Sequence, residues 1–404
     1  MDIELTEEQG LVLDTMEDWC LNNESMTDLT LGGFAGTGKT TILRQLIDRV
    51  GDRRDLQFVA PTGKAAQVLS RKGVPAHTVH SVFYNFTGHS EDESGRQTPQ
   101  FRKREKVNLR PEIFICDESS MVNLQMARDI WRHRVPILWV GDHGQLPPIG
   151  EDPEILKSPD LKLETIHRQA AGNPVLQAAH SVRKGDAPAN WLSGAKQRHK
   201  KGEDGGEIHV FRRGGDSGSI HEYALENEID QIICGYNKTR ISTNKLVRQE
   251  LGRSGRFPVK GDRLICLKNN RSVGVFNGEI MDVEEVVEFI GNKKNPETCI
   301  VVIRLKSETG RDVTLPCWGG QFHSRDQLTT AEEEELIELY ESQLSAYQDD
   351  LRIDSFDYGY AITCHKSQGS EWDRVMVVDQ AFGEKSRWRY TALTRAKDFC
   401  AVSV

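Results

Sequence analysis

Read for the spacing of its apolar positions, the chain repeats one pattern. Short apolar runs end in polar or glycine-rich residues, and apolar positions three and four apart follow. Residues 5–21 predict a helix with Thr6 as N-cap and Glu7, Glu8 and Gln9 in its first turn. Leu29, Leu31 and Phe34 lead into a glycine-rich stretch, and Leu43, Leu46, Ile47 and Val50 mark one face of the next helix. Residues 57–60 predict a strand, 61–64 a turn, and Ala65, Ala66, Val68 and Leu69 another helix. Residues 112–116 and 137–140 predict further strands, with a helix between them running to about 134. Strands alternating with helices, with polar residues at the strand C-ends, predict a parallel α/β sheet that holds its ligand at that edge.

The pattern breaks at residues 84–109, where a polar, highly charged excursion predicts an inserted hairpin or mobile loop. A second α/β unit is expected from about residue 161, with a helix at 175–183, a strand at 231–235 and a helix at 241–251. Residues 196–206 and 212–218 read as loops. From 261 to about 314 the period shortens to β runs at 263–267, 279–287, 299–305 and 311–315, which predicts a small antiparallel barrel. An acidic helix over 331–348 closes it, with its charges on a solvated face. The α/β pattern resumes with runs at 358–364, 374–378, 386–396 and 399–404. The expected domains are therefore 1–157, then 158–260 joined to 352–404, with 261–351 inserted in the second.

Composition narrows the class. The 404 residues are 37% apolar and 28% charged, in the range of soluble globular chains. No apolar run is long enough to span a bilayer. The acidic start, Met1-Asp2-Ile3-Glu4, does not read as a signal peptide. Eight scattered cysteines without a C-x-x-C suit a reducing cytoplasm, with neither disulfides nor zinc. A net charge of −9 argues against a nucleic-acid-coated protein but leaves room for a local basic groove.

The candidate chemistry centres on Gly33-Phe34-Ala35-Gly36-Thr37-Gly38-Lys39-Thr40, which fits the phosphate-cradling loop G-x-x-x-x-G-K-[ST]. Its glycines let backbone N–H groups approach phosphate oxygens, and the helix that starts there adds its positive end. Gly36, Thr37, Gly38, Lys39, Thr40 and Thr41 are the expected nucleotide contacts. Lys39 would neutralise the outer phosphates and the Thr40 hydroxyl would hold Mg²⁺. Asp117-Glu118 follows an apolar strand, so Asp117 can hold Mg²⁺ through water and Glu118 can deprotonate the attacking water. Gln145, after the next strand, is a neutral amide able to contact both a γ-phosphate and a water. Phe83 and Tyr84 either stack on bases or pack beneath the insertion, and His80 and His365 are either ligand contacts or structural histidines.

Taken with Gln9, residues 60–66, 117–121, 361–371 and 390–397, these blocks resemble the ordered motifs of superfamily 1 helicases, closest to the B-type, RecD-like and Dda-like group. The resemblance runs from Gln9 to Lys397. It implies two RecA-like P-loop NTPase domains, an SH3-like barrel entered at Asn269-Asn270-Arg271, and a strand-separating pin in residues 84–109 carrying Arg102, Lys103, Arg104 and Lys106. Because Gln9 comes at once, without the N-terminal domain of bacterial RecD, a compact form is expected.

The family roles follow. Gln9 would bond adenine, Glu371 ribose, and Gly369 would lie beside the nucleotide. Arg168 and Arg395 would be arginine fingers, with His167 where many relatives have a stacking tyrosine. Thr62, Lys64, His80, Ser81 and Phe83 on one domain, and Thr363, His365 and Lys366 on the other, would touch the strand. Hydroxyls, amides and lysines suit phosphates and carry no sequence preference. The implied activity is an ATP-dependent helicase moving 5′ to 3′ on single-stranded DNA and opening duplex junctions. It would act as a monomer away from membranes, with single-strand-binding, replication, recombination or repair proteins as candidate partners. An RNA-directed relative and an ATP-switched remodeller are the alternatives.

Overall fold

The computed structural model describes residues 5–22, 27–91, 97–104, 111–165, 172–192, 197–202, 206–212, 219–324, 328–348 and 351–404. The first helix, α1 (Glu7–Asn22), opens with a reciprocal cap. Gln9 N donates to Thr6 Oγ1 at 3.2 Å and Thr6 N to Gln9 Oε1 at 3.0 Å. Its buried Val12, Leu13, Met16 and Cys20 pack on Ile42, Leu43 and Leu46 of α2 (Lys39–Val50).

The first sheet is built from β1 (Leu29–Gly33), β2 (Leu56–Ala60) and β3 (Ala76–Thr78), with helices α3 (Gly63–Arg71) and α4 (Val79–Phe83) beside them. An antiparallel hairpin, β4 (Tyr84–Glu91) and β5 (Gln97–Lys103), projects from it. Strands β6 (Ile113–Cys116), β7 (Ile137–Gly141) and β8 (Leu161–Leu163) complete the parallel sheet, in the order β3-β2-β6-β7-β1-β8. Strands β6 and β7 are buried along their whole length, as their unbroken apolar runs require of a sheet covered on both faces. The order sets β1 beside β7, and β7 beside β6, so the loops after all three open at one edge.

Two expectations change here. Residues 161–163 do not begin the second unit: β8 pairs with β1 and closes the first sheet. The helix expected after Glu118 is also broken. Glu118 has a left-handed backbone (φ 54°), a 3-10 turn spans Ser119–Met121, and Asn123 caps a new helix, α5 (Leu124–Trp131).

The second sheet begins after α6 (Pro174–Arg183) and α7 (Pro188–Trp191) with β9 (Gln197–Lys201) and β10 (Glu207–Phe211). Residues 197–201 were expected as loop; they form an antiparallel edge strand on β10. Next come α8 (Ile220–Glu226), β11 (Gln231–Cys234) and α9 (Asn237–Glu250). The barrel follows as β12 (Arg263–Cys266), β13 (Ile280–Ile290), β14 (Ile300–Ser307) and β15 (Asp312–Trp318). The acidic helix α10 (Thr330–Leu344) crosses its end, burying Leu336 and Leu344 against Ile290, Ile300 and Trp318.

One acid leaves the solvated face. Glu333 is buried and accepts from Lys268 Nζ at 2.9 Å and Ile353 N at 3.2 Å. The barrel's fifth strand is β16 (Phe356–Tyr358), on β12, so the α/β pattern resumes later than expected. Asp354 bonds backbone to backbone with Pro316 and Trp318 and ties the two ends of the barrel sheet. The chain then returns through β17 (Ala361–Thr363), α11 (Cys364–Ser367), β18 (Trp372–Val378), α12 (Lys385–Leu393) and β19 (Ala396–Ser403). The second sheet has the order β17-β11-β18-β19-β10-β9.

The barrel is pinned to α9 by Arg248, which is fully buried. Its guanidinium bonds both Asp262 carboxylate oxygens and the Gly255 and Phe257 carbonyls, and lies over the Tyr358 ring. All eight cysteines are free and buried. Among the described residues no helix is long and apolar enough to cross a membrane.

Candidate active site and nucleic-acid interface

The loop between β1 and α2 turns through Gly36 (φ 80°) and Gly38 (φ 86°), conformations open to glycine. A Cβ at Gly38 would also meet Gln9 Nε2 at 2.5 Å. Gln9 is buried, and its amide donates to Thr37 O at 3.0 Å, so the first helix braces the loop from behind. Thr37 Oγ1 donates to Phe34 O at 2.8 Å. Lys39 Nζ donates to the Gly33 and Phe34 carbonyls at 2.7 and 3.0 Å, which holds the ammonium across the mouth of the loop.

The sheet order brings three carboxylates to this mouth. Asp117 is buried and its carboxyl is raised above the usual range by desolvation. Glu118, half-buried, is pushed up to about 7 by burial and by Asp117, against the pull of Arg395 and Lys39. A carboxylate poised there suits a general base working near neutrality. Asp142 is buried and accepts from Gly144 N at 2.9 Å. Gln145 donates to the Asp142 carboxylate at 3.4 Å, while its Oε1 is buried with no hydrogen-bond partner among the described residues. An acceptor so placed fits a sensor that finds its donor in a reactant.

The opposite wall comes from the second sheet. Tyr390 on α12 is fully buried; its hydroxyl donates to Asp142 Oδ2 at 2.7 Å and accepts from Ala35 N at 2.8 Å. Thr391 Oγ1 accepts from Leu146 N at 2.8 Å, and Gln368 Nε2 donates to Leu146 O at 3.2 Å. The 141–148 loop of the first domain is thus held by three side chains of the second. Arg395, on the turn after α12, is buried. Its nitrogens bond the Thr391 and Ser370 carbonyls and Thr394 Oγ1, and its charge acts on Glu118. Arg183 lies over the Phe34 ring at 3.3 Å, where His143 and Tyr390 also pack.

Tyr390, Thr391 and Gln368 lie in the motif blocks read from sequence but were given no role there, and Arg183 was not singled out. The spacing of Tyr390, Thr391, Thr394 and Arg395, at i, i+1, i+4 and i+5, was the available signal, because it sets them on one helical face.

Several expected contacts fall elsewhere. Phe83 is a core residue, 1% exposed and packed on Phe114 and His133, and does not face a ligand. Tyr84 is likewise buried, with its hydroxyl on Asp129 at 2.8 Å, where Lys103 anchors the root of the hairpin. Ser81 donates its hydroxyl to Thr78 O at 2.7 Å, so only its acceptor side remains to offer. The nearest atoms around Gly369 belong to Ala65 and Thr62 of the first domain, not to the phosphate loop. Glu371 is exposed. His167 and Arg168 lie outside the described residues, as do residues 105–110 of the insertion.

The remaining strand candidates gather on one side. Thr62 caps α3, Lys64 Nζ lies 4.9 Å from the Trp372 ring across the interface, and Lys366 Nζ is 3.5 Å from Asn277 Oδ1 of the barrel. Burial lowers the pKa of Lys64, His80, His365 and Lys366. His80 stacks on Tyr84 at 5.1 Å, and Thr363 opens α11.

A phosphate loop and paired acids on one parallel sheet, faced by a buried arginine from a second, define a two-domain P-loop NTPase with two RecA-like units. The family model described as an AAA domain matches residues 14–211, and the UvrD-like helicase C-terminal domain matches 358–402. The chain is 28% identical over 419 residues to the ATP-dependent RecD2 DNA helicase of Deinococcus radiodurans, covering 98% of this chain and 48% of that protein. It is 22% identical to the DNA helicase dda of phage T4, covering 80% of this chain and 76% of that protein. A crystal structure of Pif1 helicase from Bacteroides, in complex with ADP-AlF3 and ssDNA, superposes with a TM-score of 0.58 at 21% identity, covering 99% of this chain and 92% of that one. These likenesses are to RecD-like, B-type helicases of superfamily 1, and they support the same class for this chain. The chain spans about half the length of the RecD2 relative.

Proposed function

We propose that this protein is an ATP-driven DNA helicase that moves 5′ to 3′ along a single strand and opens duplex ahead of it. The observation that carries the reading is the shared cleft: the Tyr390 hydroxyl of the second domain bonds Ala35 N in the phosphate loop and Asp142 beside Gln145. Glu118 acts as general base on the attacking water, and Gln145 reports on the reacting phosphate. Lys39, Arg395 and Arg168 neutralise charge that develops on the transferring phosphoryl.

Residues 36–41 cradle the phosphates, Gln9 braces their loop, and by resemblance His167 adjoins the base. Thr40 and Asp117 would hold Mg²⁺, which neutralises phosphate charge when bound. The hard oxygen donors fit it, as does the uncompensated burden of Asp117 and Glu118, both raised by burial. Opening and closing of the cleft moves Thr62, Lys64 and His80 relative to Thr363, His365 and Lys366, so the two domains grip the strand in alternation. The β4–β5 hairpin is the wedge at the fork. The resemblance to B-type helicases supports this polarity, and the DNA helicases among the relatives support DNA over RNA.

Strand displacement on forked duplexes with only a 5′ or only a 3′ tail tests the reading. Unwinding from the 5′ tail alone is expected, and unwinding from the 3′ tail alone would reject it. Stimulation of ATP turnover by RNA but not DNA strands would move the substrate to RNA.

A further inference from the structure

Strands β17, β11 and β18 are neighbours in the second sheet, and an aromatic ring follows each at its C-terminal end. His365 lies two residues past β17, Tyr236 two past β11, and Phe382 four past β18. Tyr236 and Phe382 are 50% and 38% exposed, among the few large apolar side chains the described surface leaves open. Their rings stack on each other, with centroids 5.3 Å apart and planes 22° apart. His365 continues the series at 6.3 Å and 32° from Phe382.

The loops that carry the rings are tied together. Gln380 Oε1 accepts from Gly235 N at 3.1 Å, and its amide donates to Thr239 Oγ1 at 2.9 Å. A Cβ at Gly235 would come within 2.7 Å of Gln380 O. This close stitching fixes the two rings before any ligand arrives. A solvent-facing pair of near-parallel rings on a rigid rim has no role in either core, and the neighbouring Lys366, its ammonium 3.5 Å from Asn277 Oδ1, brings a positive charge suited to a phosphate.

Resting on the proposed helicase function, we infer that Tyr236 and Phe382, with His365 beside them, form a platform on which unstacked bases of the translocated strand stack. Every base has a π face, so the platform binds without sequence preference. It complements the phosphate contacts of Lys366 and Thr62 by holding the second domain's end of the strand.

The test is a cycle between ring and base. Fluorescence anisotropy compares the full chain with Tyr236→Ala and Phe382→Ala on a labelled thymidine oligonucleotide and on an abasic one of equal length, at fixed salt. Melting temperatures check the fold. The expected result is a Kd on thymidine raised roughly tenfold by each substitution, a change under about twofold on the abasic strand, and recovery in Tyr236→Phe. Equal losses on both strands, or no loss on either, would overturn the platform and leave the helicase reading standing. Failure of the unsubstituted protein to bind either strand would overturn both.

Discussion

Tyr390→Phe removes one oxygen atom and leaves the buried ring in place. That oxygen makes two bonds across the domain interface, to Asp142 at 2.7 Å and from Ala35 N at 2.8 Å. A hydrogen bond to a charged group contributes roughly 1.5–3 kcal/mol and a neutral one about 0.5–1.5 kcal/mol. Asp142 keeps its bonds from Gly144 N and Gln145, so the full penalty of an orphaned carboxylate does not apply. Ala35 N loses its partner. The closed cleft should therefore weaken by about 2–4 kcal/mol against the open one. At about 1.4 kcal/mol per factor of ten, the closed population falls by roughly 30- to 1,000-fold before the reactant's own contacts restore part of it.

The expected result is a drop in DNA-stimulated kcat of about 10- to 100-fold, with KM for ATP changed less than about threefold. The assay is steady-state ATP turnover at saturating single strand, with thermal melting to show that the fold is kept. A kcat within about twofold of the unsubstituted protein would refute the reasoning. It would mean that the hydroxyl bridges a state the reaction does not use.

Other substitutions address separate links. Glu118→Gln should reduce hydrolysis by about 10²–10⁴-fold while ATP binding persists; filter binding beside turnover checks this, and undiminished turnover would remove Glu118 from the role of base. Arg248→Met should destabilise the junction between barrel and α9 by about 3 kcal/mol, because Asp262 stays buried with only Arg253 to pair it. Urea unfolding would report the loss, and an unchanged midpoint would count against it. His323 is pulled down to about 4, by burial first and then by Arg248. The unfolded chain takes up a proton near the ordinary value of 6.5 and the folded one does not, so stability should fall as pH drops from about 6.5 towards 4. His323→Asn, which tolerates the left-handed backbone there (φ 58°), should lessen that fall in melting temperature, and an unaltered pH profile would contradict the assignment.

Much of the site was legible because it lies at strand ends. The G-x-x-x-x-G-K-T loop, Asp117-Glu118 and Gln145 each follow an apolar run, and a parallel sheet must bring such ends to one edge. The second wall was less legible. Tyr390 and Thr391 meet the 141–148 loop across roughly 250 residues of sequence, and no periodicity encodes a partner so distant. Phe83 shows the limit from the other side. An aromatic beside a polar insertion reads equally as ligand contact or as core, and only packing against Phe114 decides. Strand β9 was missed because Gln197-Arg198-His199-Lys200-Lys201 has no apolar alternation; it is an edge strand held by backbone pairing with β10. Strand β8 was assigned to the wrong unit because three residues carry too little pattern to name their neighbour.

ATP split between the two sheets is expected to move a strand through the protein. Stopped-flow arrival at an end-labelled single strand tests it most directly, with strands of increasing length labelled at either end and ATP added to the preformed complex. A lag that lengthens with the strand, seen at the 3′ label and absent in Glu118→Gln, is the predicted result. A signal whose timing ignores strand length would contradict the claim.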